Sequence, residues 1–306
     1  MMDDGDVNPH RLRLLLELSR RGSMRAVADA AGIATSTVSQ QLAVLSKEAG
    51  SVLLEPVGRQ VRLTPAGERL AGHAVTILAA IEAARADLDP ATAPAGEVRV
   101  AAFATAARDA LLPVARVLTA AHPLVRLHIY EHEPTEALAL IDGDRVDLAL
   151  TYDYNLAPHT FDRTVATTPL WHTPWSLGVP AGDDLRAGDT LAVFNRFRDH
   201  DWVVNSRETT DERVIRTVSA LAGFSPTIGH RADSLELVQQ IIAAGLAVGL
   251  LPTAHPTLAG VALIGLTEPH IDLRAFAVTR RGRQDWPALA LVVRLLGSVP
   301  SAAGRP

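Results

Sequence analysis

The chain has 306 residues, a net charge of −5 and no cysteine. It is long enough for two or three separately cored domains, and it has no disulfide, thiolate metal site or thiol redox switch. The acidic, polar start MMDDGDVNPH is the opposite of a secretory signal, and the most apolar stretch, residues 235–252, contains Glu236, Gln239, Gln240 and two glycines, unlike a membrane span. A cytoplasmic protein with no membrane partner is expected.

The charge is unevenly divided. Through Arg62 there are eight arginines and lysines against seven acids, a net of +1, which leaves −6 for the remainder. In that first part, residues 23–64 encode two short helices, a tight turn, a hairpin and the capped start of a long helix. Ser23 is placed to cap a helix whose buried face is read as Ala26, Val27, Ala30 and Ala31, small enough for a second helix to cross closely. Gly32 ends it, because glycine enters the left-handed region at little steric cost. The next helix opens at Thr35 and turns Val38, Leu42 and Leu45 inward beside Ile33. Its other face carries Ser36, Ser39, Gln40, Ala43 and Lys47 and no carboxylate. Such a surface suits a major groove, where phosphates repel acids and base edges pair with hydroxyls and amides. After Gly50, LLEPVGRQVRLT reads as two short strands that place Arg59 and Arg62 near backbone phosphate. The order is that of a winged helix-turn-helix on double-stranded DNA; the alternative is a small helical core with a hydroxyl-rich solvated face.

These residues resemble the LysR-type transcriptional regulators. The resemblance runs over about seventy residues: a first helix with Leu12, Leu15, Leu16 and Leu18, then RGSMRAVA, STVSQQL and GRQVRLTPAGERL. It implies phosphate contacts from Ser23 and Arg25, groove contacts from Thr35, Ser36, Ser39 and Gln40, and a wing contact from Arg59; Thr37 and Arg62 complete the expected DNA-contacting set. The chain departs from the family at Leu54, Glu55 and Pro56, where Phe-x-Arg is usual, so affinity should lean on Arg59 and Arg62.

Thr64 before Pro65 is a strong helix start. The helix should run to about Leu88, where Asp89-Pro90 breaks it, giving roughly 25 residues and about 37 Å at 1.5 Å per residue. Leu70, Ala74, Ile77, Ile81, Ala84 and Leu88 recur in a 4-3 rhythm, so a dimer coiled coil is expected, with a helix laid on its own domain as the alternative. A dimer or tetramer fits a single winged helix that spans only a half-site.

From Glu97 strands alternate with helices. Strands are expected at 98–103, 125–131 and 146–151 with helices at 107–121 and 134–142. The unit then recurs as strand 202–205, helix 207–222, strand 227–231, helix 233–243 and strand 247–251. Two βαβαβ units imply two parallel-sheet subdomains, with 163–180 and 268–280 as crossing strands. The fold class is therefore α/β: a winged helix-turn-helix (1–63), a linker helix (64–90) and a periplasmic-binding-protein-like effector domain (91–306). Its subdomain I would comprise about 97–160 and 268–306, and subdomain II about 161–267.

Ligands in open α/β sheets bind beyond the carboxyl ends of strands, near helix N-termini. That rule selects Thr105, the turn from Glu133 to Thr135, Thr151 and Tyr152, Asn205 and Ser206, and Asp233 as effector contacts; each polar side chain could equally serve only to cap a helix. The resemblance supports Thr105 and the 133–135 and 205–206 turns by position in the fold. Helix N-termini and hydroxyls favour an anionic or zwitterionic metabolite, a carboxylate or amino acid.

No cofactor and no catalytic or metal-ligating residue is expected. His128, Tyr130 and His132 alternate along one strand face but lack a third ligand of known spacing. No phosphate-binding loop, dinucleotide fingerprint, nucleophile elbow or zincin motif occurs. A DNA-binding regulator with a metabolite-sensing domain is the expectation, with a metabolic enzyme fused to a DNA-binding module as the alternative.

Overall fold

The computed structural model describes residues 7–58, 60–89, 93–182, 186–204 and 210–298. At the amino end, α1 (Pro9–Arg21), α2 (Met24–Ala31) and α3 (Thr35–Glu48) are followed by a hairpin of β1 (Leu54–Val57) and β2 (Gln60–Leu63). Asn8 caps α1 by accepting from the His10 N–H at 2.8 Å, and Ser23 caps α2 by accepting from the Ala26 N–H at 3.2 Å. Gly32 ends α2 with φ of 66°. Val38, Leu42 and Leu45 of α3 pack with Leu12, Leu15, Leu16 and Leu18 of α1 and with Val27 in one small core.

The phase of α2 differs from expectation. Its buried residues are Val27 and Ala28, with Met24 packed beside them, whereas Ala30 and Ala31 are exposed and Ala26 is half-buried. A helix so rich in alanine carries little hydrophobic contrast, and the larger Met24 and Val27 decide which side turns inward.

The long helix α4 (Pro65–Leu88) begins on the Thr64 hydroxyl, which accepts from the Gly67 N–H at 3.1 Å. Its buried stripe is Ala71, Ala74, Val75, Leu78 and Ala79, and most of it joins the amino-terminal core. The expected seam is therefore offset. Ala74 is consumed within the chain, whereas Ile77 and Leu88 remain 40% and 87% exposed. Small residues at 71, 74 and 79 let α4 lie close to its own domain, and that contact, not the seam, sets its rotation.

Beyond α4, strands β3 (Gly96–Ala102), β4 (Val125–Glu131) and β5 (Leu148–Tyr154) pair in parallel. They are connected through α5 (Ala104–Ala106), a π-helical turn at Ala107–Leu111, α6 (Leu112–Ala121) and α7 (Pro134–Asp142). The second copy comprises β7 (Asp201–Val204), α9 (Thr210–Leu221), β8 (Thr227–Arg231), α10 (Leu235–Ala243) and β9 (Gly249–Pro252), preceded by α8 (Thr190–Arg196). Strands β7 and β8 are parallel, and a single bridge from Trp202 to Val248 ties the pair to the chain entering β9.

The crossing strands are longer and more engaged than two separate parallel sheets require. β6 (Val165–Pro180) pairs antiparallel with β11 (Ile271–Arg280) along its first part and with β9 and β10 (Val261–Ile264) along its last. The result is one mixed sheet in the order β10-β6-β11-β5-β3-β4, with β9 also on β6. Both copies are stitched together because the return strands, running backwards, offer their backbone groups to either side. One large core joins them, with α11 (Pro287–Ser298) covering the first lobe.

Strand direction gives the large domain two functional edges. The carboxyl ends of β3, β4 and β5 face the second lobe. At their amino ends, Asp147 meets Arg99 of β3 at 3.0 Å, Arg283 at 3.1 Å and Arg20 of α1 at 3.7 Å, while Arg20 also contacts Asp144 at 2.8 Å. The amino-terminal domain docks on that edge.

Candidate functional site

The candidate nucleic-acid surface is the outer side of α3. Thr35, Ser36, Thr37, Ser39, Gln40, Ala43 and Lys47 are all exposed, and the one acid on α3, Glu48, is half-buried and paired with Arg11. Arg25 is exposed on the neighbouring α2, whereas the Ser23 hydroxyl is already engaged as a cap. These side chains share one face because residues at i, i+4 and i+8 project together from a helix. Arg62 is exposed but occupied: opposite Glu55 in the hairpin register, it contacts that carboxylate through Nη2 at 2.6 Å and Nε at 3.1 Å. The Glu55 hydrogen bond and charge hold the Arg62 guanidinium above its ordinary pKa. A phosphate must displace Glu55 to use Arg62 fully. Arg59 lies outside the described residues.

At the carboxyl edge of the sheet the two lobes meet through acids and phenols. Tyr152 and Tyr154 project from the same face of β5, and Asp211 of α9 reaches them from the second lobe. The Asp211 carboxylate contacts the Tyr152 hydroxyl at 3.0 Å and the Tyr154 hydroxyl on its other oxygen. Glu133, at the N-terminus of α7, approaches the same Tyr152 hydroxyl at 3.3 Å. Three oxygen pairs are thus served by only two phenolic protons. If all three are hydrogen bonds, one carboxyl must carry the third proton.

The electrostatics agree with that count. Burial, then the charge of Asp211, raises Glu133 to about 7, and burial raises Asp211 to about 7 against the opposing hydrogen bonds of Tyr154 and Tyr152. Both tyrosines are driven well above their ordinary range, first by burial and then by Asp211. Asp233 adds negative charge near Glu133.

The remaining expected contacts divide by position. Thr105 is half-buried in the first turn after β3 but caps nothing, because the cap position is Phe103. Thr135 is exposed. Asp233 precedes the cap of α10, which is Ser234, accepting from the Leu237 N–H. Thr151 is buried on the opposite face of β5 from Tyr152, and among the described residues its hydroxyl has no hydrogen-bond partner; strand alternation keeps the two side chains apart. Asn205 and Ser206 lie outside the described residues. The strand-end rule does not select Asp211 or Tyr154: in TTDERV an acid in a first helical turn reads as a complement to the helix dipole. His128 and His132 each lie near a carboxylate, Glu97 at 3.7 Å and Glu136 at 3.2 Å.

A winged helix with a polar, acid-free exposed helix, joined by a long helix to a two-lobed α/β domain, defines a ligand-sensing DNA-binding protein. The model of the bacterial regulatory helix-turn-helix protein of the lysR family matches residues 9–68, and that of the LysR substrate binding domain matches residues 91–300. The chain belongs to the LysR family of transcriptional regulators, which are not enzymes. It is 25% identical over 281 residues to the HTH-type transcriptional regulator CysB of Haemophilus influenzae, covering 86% of this chain and 80% of that protein. It is 30% identical over 253 residues to a probable hydrogen peroxide-inducible genes activator of Streptomyces viridosporus, covering 79% and 76%. A full-length cysteine-to-aspartate variant of OxyR from Pseudomonas aeruginosa has the same fold, with a TM-score of 0.71 over 97% of both chains at 19% identity. This chain has no cysteine, so peroxide-responsive thiol chemistry has no group to act on here. No described helix is long and apolar enough to cross a membrane.

Proposed function

We propose that this LysR-type regulator reads operator DNA through Thr35, Ser36, Thr37, Ser39 and Gln40, anchored by Ser23, Arg25, Arg59 and Arg62, and that a small zwitterion in the interlobe cleft alters that binding. The acid-free exposed face of α3 carries the first half of the proposal. The second half rests on the acids at the cleft. Glu133, Asp211 and Asp233 favour an ammonium group, while the helix start beside Thr105 favours a carboxylate. An amino acid satisfies both; a plain carboxylate leaves the acids facing its own charge. We assign the DNA-binding, linker and effector parts to residues 1–63, 64–90 and 91–306, and place the regulator in the cytoplasm.

The effector must bind one arrangement of the lobes better than another, since equal affinity for both shifts nothing. Thermal unfolding of the full chain with amino acids, their decarboxylated amines and their deaminated acids tests this. A ligand that binds the folded form raises the midpoint with concentration. An amino acid should raise it most, and Glu133→Gln should weaken the response. If a simple carboxylate stabilises the parent and Glu133→Gln equally, the zwitterion assignment is wrong.

A further inference from the structure

We propose a second small-molecule site, for a compact polyanion, in the crevice between α4 and the amino-end edge of the sheet. A cavity of about 580 Å³ opens there, and Arg69, His73, Arg280 and Arg281 line it with Glu68 as the one carboxylate. Three guanidinium groups therefore face one acid.

Two of those cations are uncommitted. Among the described residues the side chains of Arg69 and Arg280 make no hydrogen bond or ion pair. Arg281 is oriented by donating to the backbone carbonyls of Arg163 at 2.8 Å and Val165 at 3.2 Å, which fixes its guanidinium at the rim without neutralising it. Like charges gathered on one crevice repel each other, and an anion that accepts from several of them relieves the repulsion and gains charge-assisted hydrogen bonds.

The walls are set by local geometry. Gly72 of α4 leaves the guanidinium of Arg280 room to lie across the helix, with Nη1 3.7 Å from where a β-carbon would stand. Beside the cavity the turn at Gly282, with φ of 82°, comes so close to Thr76 that a β-carbon there would lie 2.4 Å from its methyl. The Thr76 hydroxyl also reaches the Arg281 carbonyl at 3.4 Å. Helix and sheet edge are thus seated against each other with the charged crevice between them.

The crevice is distinct from the interlobe cleft. β11 runs antiparallel to β5, so Arg280 stands where β5 begins and Tyr154 where it ends, about 20 Å apart at 3.3 Å per residue. A bound polyanion bridges α4 to the effector domain and stiffens the joint between the DNA-binding and sensing halves.

Thermal unfolding and calorimetric titration of the full chain with pyrophosphate or citrate, at ionic strength matched with sodium chloride, test the site. A saturable rise in the midpoint with at least one anion is expected; pyrophosphate alone identifies a phosphoryl ligand, citrate alone a polycarboxylate, and both a general polyanion site. Arg69→Gln and Arg280→Gln should each weaken binding at least tenfold. Gly72→Leu, which fills the crevice and keeps every charge, should do the same. Arg126→Gln, an exposed arginine on β4, three strands along the sheet from β11 and not part of the crevice lining, should bind as the parent does. Binding that never saturates in either arm, or crevice variants that titrate like the parent, would overturn the proposal.

Discussion

Glu55 and Arg62 show how one exposed pair can set the reach of a DNA-binding wing. Paired across the hairpin, they leave the wing with less free positive charge than its arginine suggests, although exposed ion pairs contribute only about 0–1 kcal/mol to stability. Glu55→Gln should therefore leave the midpoint of unfolding almost unchanged and tighten binding to all duplexes. The dependence of log affinity on log salt should steepen by about one, as for one added phosphate contact; an unchanged slope in anisotropy titrations would mean that Arg62 never reaches phosphate. The cleft acids make a pH prediction. A carboxyl raised from its ordinary value to about 7 keeps its proton in the folded state after the unfolded chain has released it, so stability falls as pH rises from about 4 to about 7. Asp211→Asn removes the buried charge. Its unfolding midpoint relative to the parent should climb across that window and level off above it, and a pH-independent difference would contradict the shared-proton arrangement.

At the scale of elements, α3 was legible because Val38, Leu42 and Leu45 fall on one side at helical spacing and form its buried face. The helix α2 was less so: alanines at 26, 28, 30 and 31 make several phases nearly equivalent, and only packing against α1 and α3 selects Val27 and Ala28. In α4 the 4-3 seam and the buried stripe meet at Ala74, and the stripe of Ala71, Ala74, Val75 and Leu78 was taken by the chain's own amino-terminal core. Ile77 and Leu88, left exposed, are the seam positions open to a second copy. Ile77→Glu should weaken self-association, read by sedimentation, and leave the unfolding free energy of the dissociated chain within about 0.5 kcal/mol of the parent, as for exposed positions generally. Loss of folding instead would place Ile77 in the core. The parallel strands and their helices were visible as a repeated period. The antiparallel joining of both copies was not, because no local pattern records which distant strand a return strand will meet. For the same reason the sequence rule for strand ends found Glu133 and Tyr152 but not Asp211, which arrives from a different lobe.

For the whole molecule, the interlobe acids and the helix-turn-helix domain lie at opposite edges of one sheet. The cleft acids stand at the carboxyl ends of the strands; the buried cluster of Arg20, Asp144, Asp147, Arg99 and Arg283 stands at the amino ends and ties α1 to the sensing domain. Burial works against the charge on Asp147, but hydrogen bonds and charge from Arg99, with Arg283 and Arg20, outweigh it and hold its pKa below the ordinary value. Asp147→Ala would leave Arg99 and Arg283 without their carboxylate, while Arg20 keeps Asp144, and should cost about 3–5 kcal/mol in unfolding, as for breaking a buried pair. Arg20→Gln keeps two arginines on Asp147, so it should spare effector binding and reduce the effect of effector on DNA affinity; an undiminished effect would route the coupling elsewhere. The most direct test of the account is competition binding of the full chain to a selected genomic fragment against scrambled duplex, with parent and Gln40→Ala side by side. The parent should prefer the fragment, and Gln40→Ala should lose about 1–3 kcal/mol on it while binding scrambled duplex as before. No preference by the parent, or equal losses on both duplexes, would contradict base reading by α3.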